Sequence, residues 1–251
     1  LGPARALLWF AICETGVAVC ALLSKPFLYD WLALGMAGRV ESPLVIFALC
    51  FAGLVLPTML MGASLPLLSR AIATSLDTVA ERIALLYGLN TLGAGLGALV
   101  GGWLVVGNLG FVGALIVAAG LNLAAAGLAL TLLPAMRGQP APSAPRGGAA
   151  ASAGAAARFG GLPLWCLLVF LSGYVIVALE IVWVRLLGQV GQYHAYLFPT
   201  VLGIFLLADG IGMAVAARMV RRIEDPRPAF FIAQGAGFVL AVALIGALWL
   251  A

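Results

Sequence analysis

Residues 83–106 read IALLYGLNTLGAGLGALVGGWLVV. This run carries no charged side chain and is longer than the roughly 20 apolar residues that cross a bilayer as a helix. It is continuous and rich in Leu, Ala and Gly. A half-lipid-exposed strand would instead alternate apolar and polar residues. The glycines at Gly93-Ala94-Gly95-Leu96-Gly97 evoke a dinucleotide fingerprint, but that fingerprint needs a preceding strand and an acidic residue about 20 positions on. Neither is present around this apolar run. Gly93, Gly97 and Gly101 recur every four residues and share one helix face, the spacing that lets membrane helices approach closely.

The same character extends outward through the chain. Hydrophobic residues make up 64% of it and charged residues only 9%. A soluble domain carries about 25% charged residues, so lipid is the expected solvent for most of this surface. Besides 83–106, long apolar runs lie at about 5–24, 44–68, 111–133, 164–187, 195–217 and 229–250. The expected fold is all-α, a polytopic transmembrane helical bundle of about seven spans. No basic stripe interleaved with aromatics is present, which argues against nucleic-acid binding.

Residues 135–161, AMRGQPAPSAPRGGAAASAGAAARFGG, differ in kind. Ala, Pro, Gly and Ser dominate, the composition of a flexible linker. It divides the chain into a first-half group of four spans, 1–134, and a second-half group of three, 162–251. The seven-span reading places Arg5, Arg70, Arg82, Arg137, Arg146, Arg158, Arg218, Arg221, Arg222 and Arg227 on one side. Lys25, Arg39 and Arg185 fall on the other. Basic residues concentrate on the cytoplasmic side of a membrane. The N-terminal end and the linker are therefore expected in the cytoplasm, and the 25–43 loop outside.

The chain starts without Met and ends within an apolar run, so it reads as a piece of a longer protein. Cys13, Cys20, Cys50 and Cys166 all lie in apolar runs without a C-x-x-C pair, and read as buried small hydrophobes. No cofactor and no metal cluster is expected. The single histidine, His194, sits with Tyr193 and Tyr196 at an expected outer interface, where Trp31 completes an aromatic belt.

Two features point to a polar site within the membrane. The run 44–68 contains Pro57 and Pro66. Each proline removes an N–H and disturbs the preceding turn. Thr58 and Ser64 are placed to return hydrogen bonds to the freed carbonyls, and an interrupted helix of this kind can line a binding cavity. In addition Glu14, Glu180 and Asp209 fall at membrane depth, where a carboxylate usually faces an interior cavity or a partner. Arg185 lies closer to the outer interface and can extend toward water. A structural, hydrogen-bonded role for the carboxylates remains the alternative reading.

Several segments together resemble one bacterial family. They are PTMLMGASLPLLSR at 57–70, LYGLNTLGAGLGALVGGWLV at 86–105, LSGYVIVALEIVWVRLLG at 171–188 and FLLADGIGMAVAARMVRR at 205–222. These resemble the membrane region of the fused spermidine synthase-like proteins, in which transporter-like helices precede an aminopropyltransferase-like domain. The Glu180-x-x-Trp183-x-Arg185 pattern and the Pro57-to-Pro66 segment carry the resemblance most specifically. The resemblance implies that the chain begins at the family's third helix, with a related second half from Leu164. A weak internal echo agrees: Pro3-Ala4-Arg5 leads to Glu14 and Gly16, and Pro226-Arg227-Pro228 leads to Gln234 and Gly235. Ala208-Asp209 departs from the family, which has Gly and an apolar residue there.

No soluble catalytic domain lies within these residues, so the resemblance implies that the aminopropyltransferase-like part is elsewhere. Two functions follow. One is a transporter-like or substrate-channelling module of a bacterial inner membrane, handling a small cationic molecule such as a polyamine. The other is a non-catalytic accessory subunit that anchors a synthase-like domain or packs against other membrane subunits. Cysteines introduced at positions 150 and 35 should be labelled from the cytoplasm and from outside, respectively; labelling of both from one side overturns the topology. Residues 138–158 lack the apolar content to pack. Removing a few of them should leave the yield of folded protein unchanged, as measured by size-exclusion chromatography in detergent.

Overall fold

A computed structural model describes residues 2–36, 39–72, 79–137, 161–190, 195–220 and 226–250. Among these residues the structure is all-helical, with no strand. The helices are α1 (Pro3–Ser24), continued by a π-helical segment π1 (Lys25–Leu34), then α2 (Pro43–Ile72) and α3 (Val79–Leu99). A second π segment, π2 (Val100–Val105), leads into α4 (Val106–Met136). The second half contains α5 (Gly161–Val190), α6 (Leu197–Val220) and α7 (Pro226–Leu250). Among the described residues six helical runs are long and apolar enough to cross a membrane. The interior of the 135–161 linker, residues 138–160, lies outside the described residues, as do Tyr193 and His194.

Two boundaries differ from the sequence reading. Residues 25–34, expected in an outer loop, are helical. Their i→i+5 register brings residues five apart onto one face. Lys25 and Asp30 have that spacing, and the ammonium donates to both carboxylate oxygens at 3.0 and 2.7 Å. Phe27 stacks on Trp31 with ring centroids 5.2 Å apart. The second difference is that the runs 83–106 and 111–133 join into one 54-residue helical stretch, Ile83–Met136. At 1.5 Å per residue this would extend about 80 Å, against a hydrocarbon core of about 30 Å. It is not straight: Gly110 leaves helical geometry with φ 66° and ψ −175°. Side chains other than glycine rarely adopt that φ.

The helices pack in two groups. In the first, α1 lies against both α2 and α4. Its core consists of Ala6, Leu7 and Ala11 of α1, Ala71 of α2, and Ala126 and Ala129 of α4, with Phe10, Leu68, Leu133 and Met136 around them. The start of α1 therefore meets the ends of α2 and α4, so α1 runs antiparallel to both. Arg5, Arg70 and Arg137 consequently lie at one end of this group. The buried residues are small because membrane helices, lacking a hydrophobic drive between them, associate by close packing. Large apolar side chains point outward instead: Phe111 is 80% exposed and Leu44 75% exposed. In water such continuous apolar surface would be an aggregation or docking face, whereas in a bilayer it meets acyl chains.

The second group is the antiparallel pair α3–α6, with α5 beside α6. Here glycine brings backbone against backbone. A Cβ at Gly95 would stand 2.9 Å from the Leu207 nitrogen and 3.0 Å from the Gly203 oxygen. One at Gly210 would stand 3.0 Å from the Leu92 nitrogen. Gly88 faces Gly210, and Gly102 faces Pro199. The contacting glycines thus recur every seven residues, as do Gly203 and Gly210, the repeat of a left-handed helix crossing. Gly93, Gly97 and Gly101 lie on other faces of the same helix and have open space around them. The expected four-residue stripe is therefore not where α3 meets α6. Gly95→Val and Gly203→Val should each destabilise the pair by about 1–3 kcal/mol through overpacking. Thermal unfolding in detergent should show a lowered Tm for both and an unchanged Tm for Gly97→Val; equal losses would remove the special role of the seven-residue seam.

Candidate membrane-embedded site

Helix α2 continues unbroken through Pro57 and Pro66. The prolines cannot donate to the carbonyls of Gly53 and Gly62, four residues back. Thr58 Oγ1 donates instead to Leu54 O at 2.8 Å and Val55 O at 3.0 Å. Ser64 Oγ donates to Leu60 O at 3.2 Å. A helical Ser or Thr hydroxyl reaches only the carbonyls three and four residues back. Gly53 lies five residues before Thr58, and Gly62 only two before Ser64, so neither freed carbonyl is restored by these hydroxyls. The expected interrupted helix is a continuous one with local hydroxyl support.

Part of this helix does line a cavity. Pro57 and Thr58, together with Ser24 and Asn122, border a cleft of about 760 Å³ among α1, π1, α2 and α4. Ser64 is buried, and Pro66 is exposed; neither borders this cleft. The polar hydrogens of the lining are committed to their own helices. Ser24 Oγ donates to Ala21 O at 2.6 Å, and Asn122 Nδ2 donates to Ala118 O at 2.9 Å.

The three carboxylates expected at membrane depth occupy three different helices. Glu14 is half-buried on α1, Glu180 half-buried on α5, and Asp209 exposed on α6. None of them lines the Pro57 cleft. Among the described residues none of them makes a hydrogen bond or an ion pair, so their acceptor oxygens remain available to a ligand or to another chain. Trp183 is half-buried and Arg185 exposed toward the C-terminal end of α5. Among the described residues no group of three His, Cys, Asp or Glu side chains could hold a metal ion.

Two polar contacts between helices were not apparent from sequence patterns. At the end of the α3–α6 seam where α6 begins, Trp103 Nε1 donates to Thr200 Oγ1 at 2.8 Å, and Thr200 Oγ1 donates to Tyr196 O at 2.6 Å. The Trp103 ring stacks on Tyr196 with centroids 4.7 Å apart and planes 22° off parallel. Tyr196 belongs to the expected aromatic belt; the signal for its partner was a tryptophan at the matching depth of a neighbouring span. The second contact joins α7 to α5, where Gln234 Nε2 donates to Ser172 Oγ at 3.0 Å. The glutamine that echoes Glu14 in the sequence thus serves a helix–helix bond.

Comparison of the chain with known protein families, with characterised proteins and with solved structures finds no match.

Proposed function

We propose that this chain is a transporter-like or substrate-channelling module of a bacterial cytoplasmic membrane, built from two related halves and crossing the bilayer about seven times. The break at Gly110 divides the 54-residue run Ile83–Met136 into two of those spans. The N-terminal end and the 135–161 linker lie on the cytoplasmic side, in keeping with the basic residues gathered there. In this reading the module handles a small cation of the polyamine class, and Glu14, Glu180 and Asp209 supply the negative charge along its path.

The observation that carries the reading is the α3–α6 seam. It joins a helix of the first half to a helix of the second with backbones in contact. Transporter sites form at the interface between repeated halves. Asp209 adjoins the seam residue Gly210, and Glu180 lies on α5, which packs beside α6. An intramembrane carboxylate without a partner is costly unless it serves a pathway or another subunit.

The accessory reading draws on a different observation. The Gly93, Gly97 and Gly101 face is open, and α5 and α7 expose large apolar side chains, among them Phe170 and Ile232. Further membrane helices, or those of a chain bearing a synthase-like domain, could pack there.

Glu14→Gln, Glu180→Gln and Asp209→Asn separate the two readings, because each keeps size and most hydrogen bonding while removing charge. In vesicles the unmutated chain should take up labelled spermidine, and each variant should lose at least tenfold in uptake with an unchanged Tm. No uptake by the unmutated chain, with the variants altering only its assembly with other subunits, would establish the accessory role instead.

A further inference from the structure

We propose that the outer half of the α1–α2–α4 group holds one diacyl phospholipid with a primary-amine headgroup, its two acyl chains lying in two clefts on either side of the Ser24–Leu28 turn. This site is separate from the carboxylates assigned to transport and does not depend on them.

The first cleft is the 760 Å³ space beside Pro57 and Thr58. The second, of about 770 Å³, lies between π1, π2 and the first half of α4. Ser24, Leu28 and Ala118 border both, so the clefts diverge from a common wall. On α1 and π1 the first runs from Leu28 down to Val17, and on α4 beyond the Gly110 break the second runs from Phe111 to Leu121. Ten or eleven helical steps span about 15 Å, half of a hydrocarbon core of about 30 Å. Each cleft therefore has the depth of one leaflet.

The lining selects hydrocarbon. Val100, Val105, Phe111 and Leu115 face the second cleft. In the first, Ser24 and Thr58 direct their hydroxyl hydrogens, and Asn122 one amide hydrogen, to carbonyls of their own helices, and no charged side chain borders the cleft. A polyamine would lose its hydration there without meeting a carboxylate, whereas an acyl chain loses nothing.

The rim selects a headgroup. Lys25 borders the second cleft, twenty residues beyond Arg5 on the same helical run, so it sits about 30 Å away at the opposite interface. Its ammonium reaches both oxygens of Asp30, with the two side chains 44% and 45% exposed. An ammonium has three hydrogens, so one remains for a phosphate oxygen, while the carboxylate retains acceptor capacity for a headgroup amine. Paired plus and minus charges complement a phosphate–ammonium zwitterion, whereas a purely anionic headgroup would meet the Asp30 carboxylate. The π-helical register maintains this pairing by placing residues five apart together.

The test uses the full 251-residue chain purified in detergent. Native mass spectrometry should show one retained phosphatidylethanolamine per chain, and added phosphatidylethanolamine should raise Tm more than phosphatidylglycerol or diacylglycerol does. Ala118→Trp, at the wall shared by both clefts, should reduce retention at least tenfold. Should that variant fail to fold, the exposed double variant Lys25→Gln with Asp30→Asn decides: it should keep its lipid-free Tm and lose the preference for the amine headgroup. Equal retention of all three lipids, a preference for phosphatidylglycerol, or an unchanged preference in the double variant would overturn the proposal.

Discussion

In hydrocarbon, water is not available to bond a peptide group, so each N–H and C=O must find its partner within its own helix. Every departure from regular α-helix in this chain is shaped by that requirement. Lys25–Leu34 and Val100–Val105 change register without leaving the helix, closing their bonds at i→i+5 instead of i→i+4. At Pro57 the chain accepts a missing donor yet stays helical through the site, with Thr58 bonding nearby carbonyls. Inside the helices, among the described residues, Gly110 is where the backbone leaves helical geometry altogether, and glycine tolerates it.

Once the backbone is satisfied internally, little apolar advantage remains in bringing two helices together, and contact depends on shape. That explains a core made largely of alanine at the α1–α2–α4 end and of glycine along α3–α6. It also explains why the polar interhelical bonds, Trp103 to Thr200 and Gln234 to Ser172, stand at selected points. Such bonds position helices that packing alone would leave free to slide. The seam at α3–α6 has consequences beyond stability, because it brings helices from before and after residues 138–160 into backbone contact.

The membrane nature of the chain and most helix positions were legible because apolar length is a local property. The run 44–68 lies within α2, Pro43–Ile72, and the run 195–217 agrees closely with α6, Leu197–Val220. The π1 segment was missed because Lys25, Pro26 and Asp30 lower the apolar signal, while the five-residue ion pair that its register allows is visible only with its geometry. The glycines of the α3–α6 seam were not singled out from the sequence for a related reason. Helix α3 and π2 carry glycine on several faces, and a four-residue repeat is as easily found there as a seven-residue one. Which face is used depends on where Gly203 and Gly210 lie on a helix more than ninety residues later.

By itself the sequence determined the apolar character of this protein's surface and its helical class, because each depends only on the order of apolar and charged residues along the chain. The partnership of α1 with α2 and α4, the α3–α6 seam, the clefts beside Ser24 and the Trp103–Thr200 bond were decided only in the tertiary structure. The physical reason is that lipid-facing and helix-facing positions are both apolar here. Hydrophobicity, which tells inside from outside in a water-soluble protein, cannot distinguish the two faces of a membrane helix, and complementarity of shape assigns them instead.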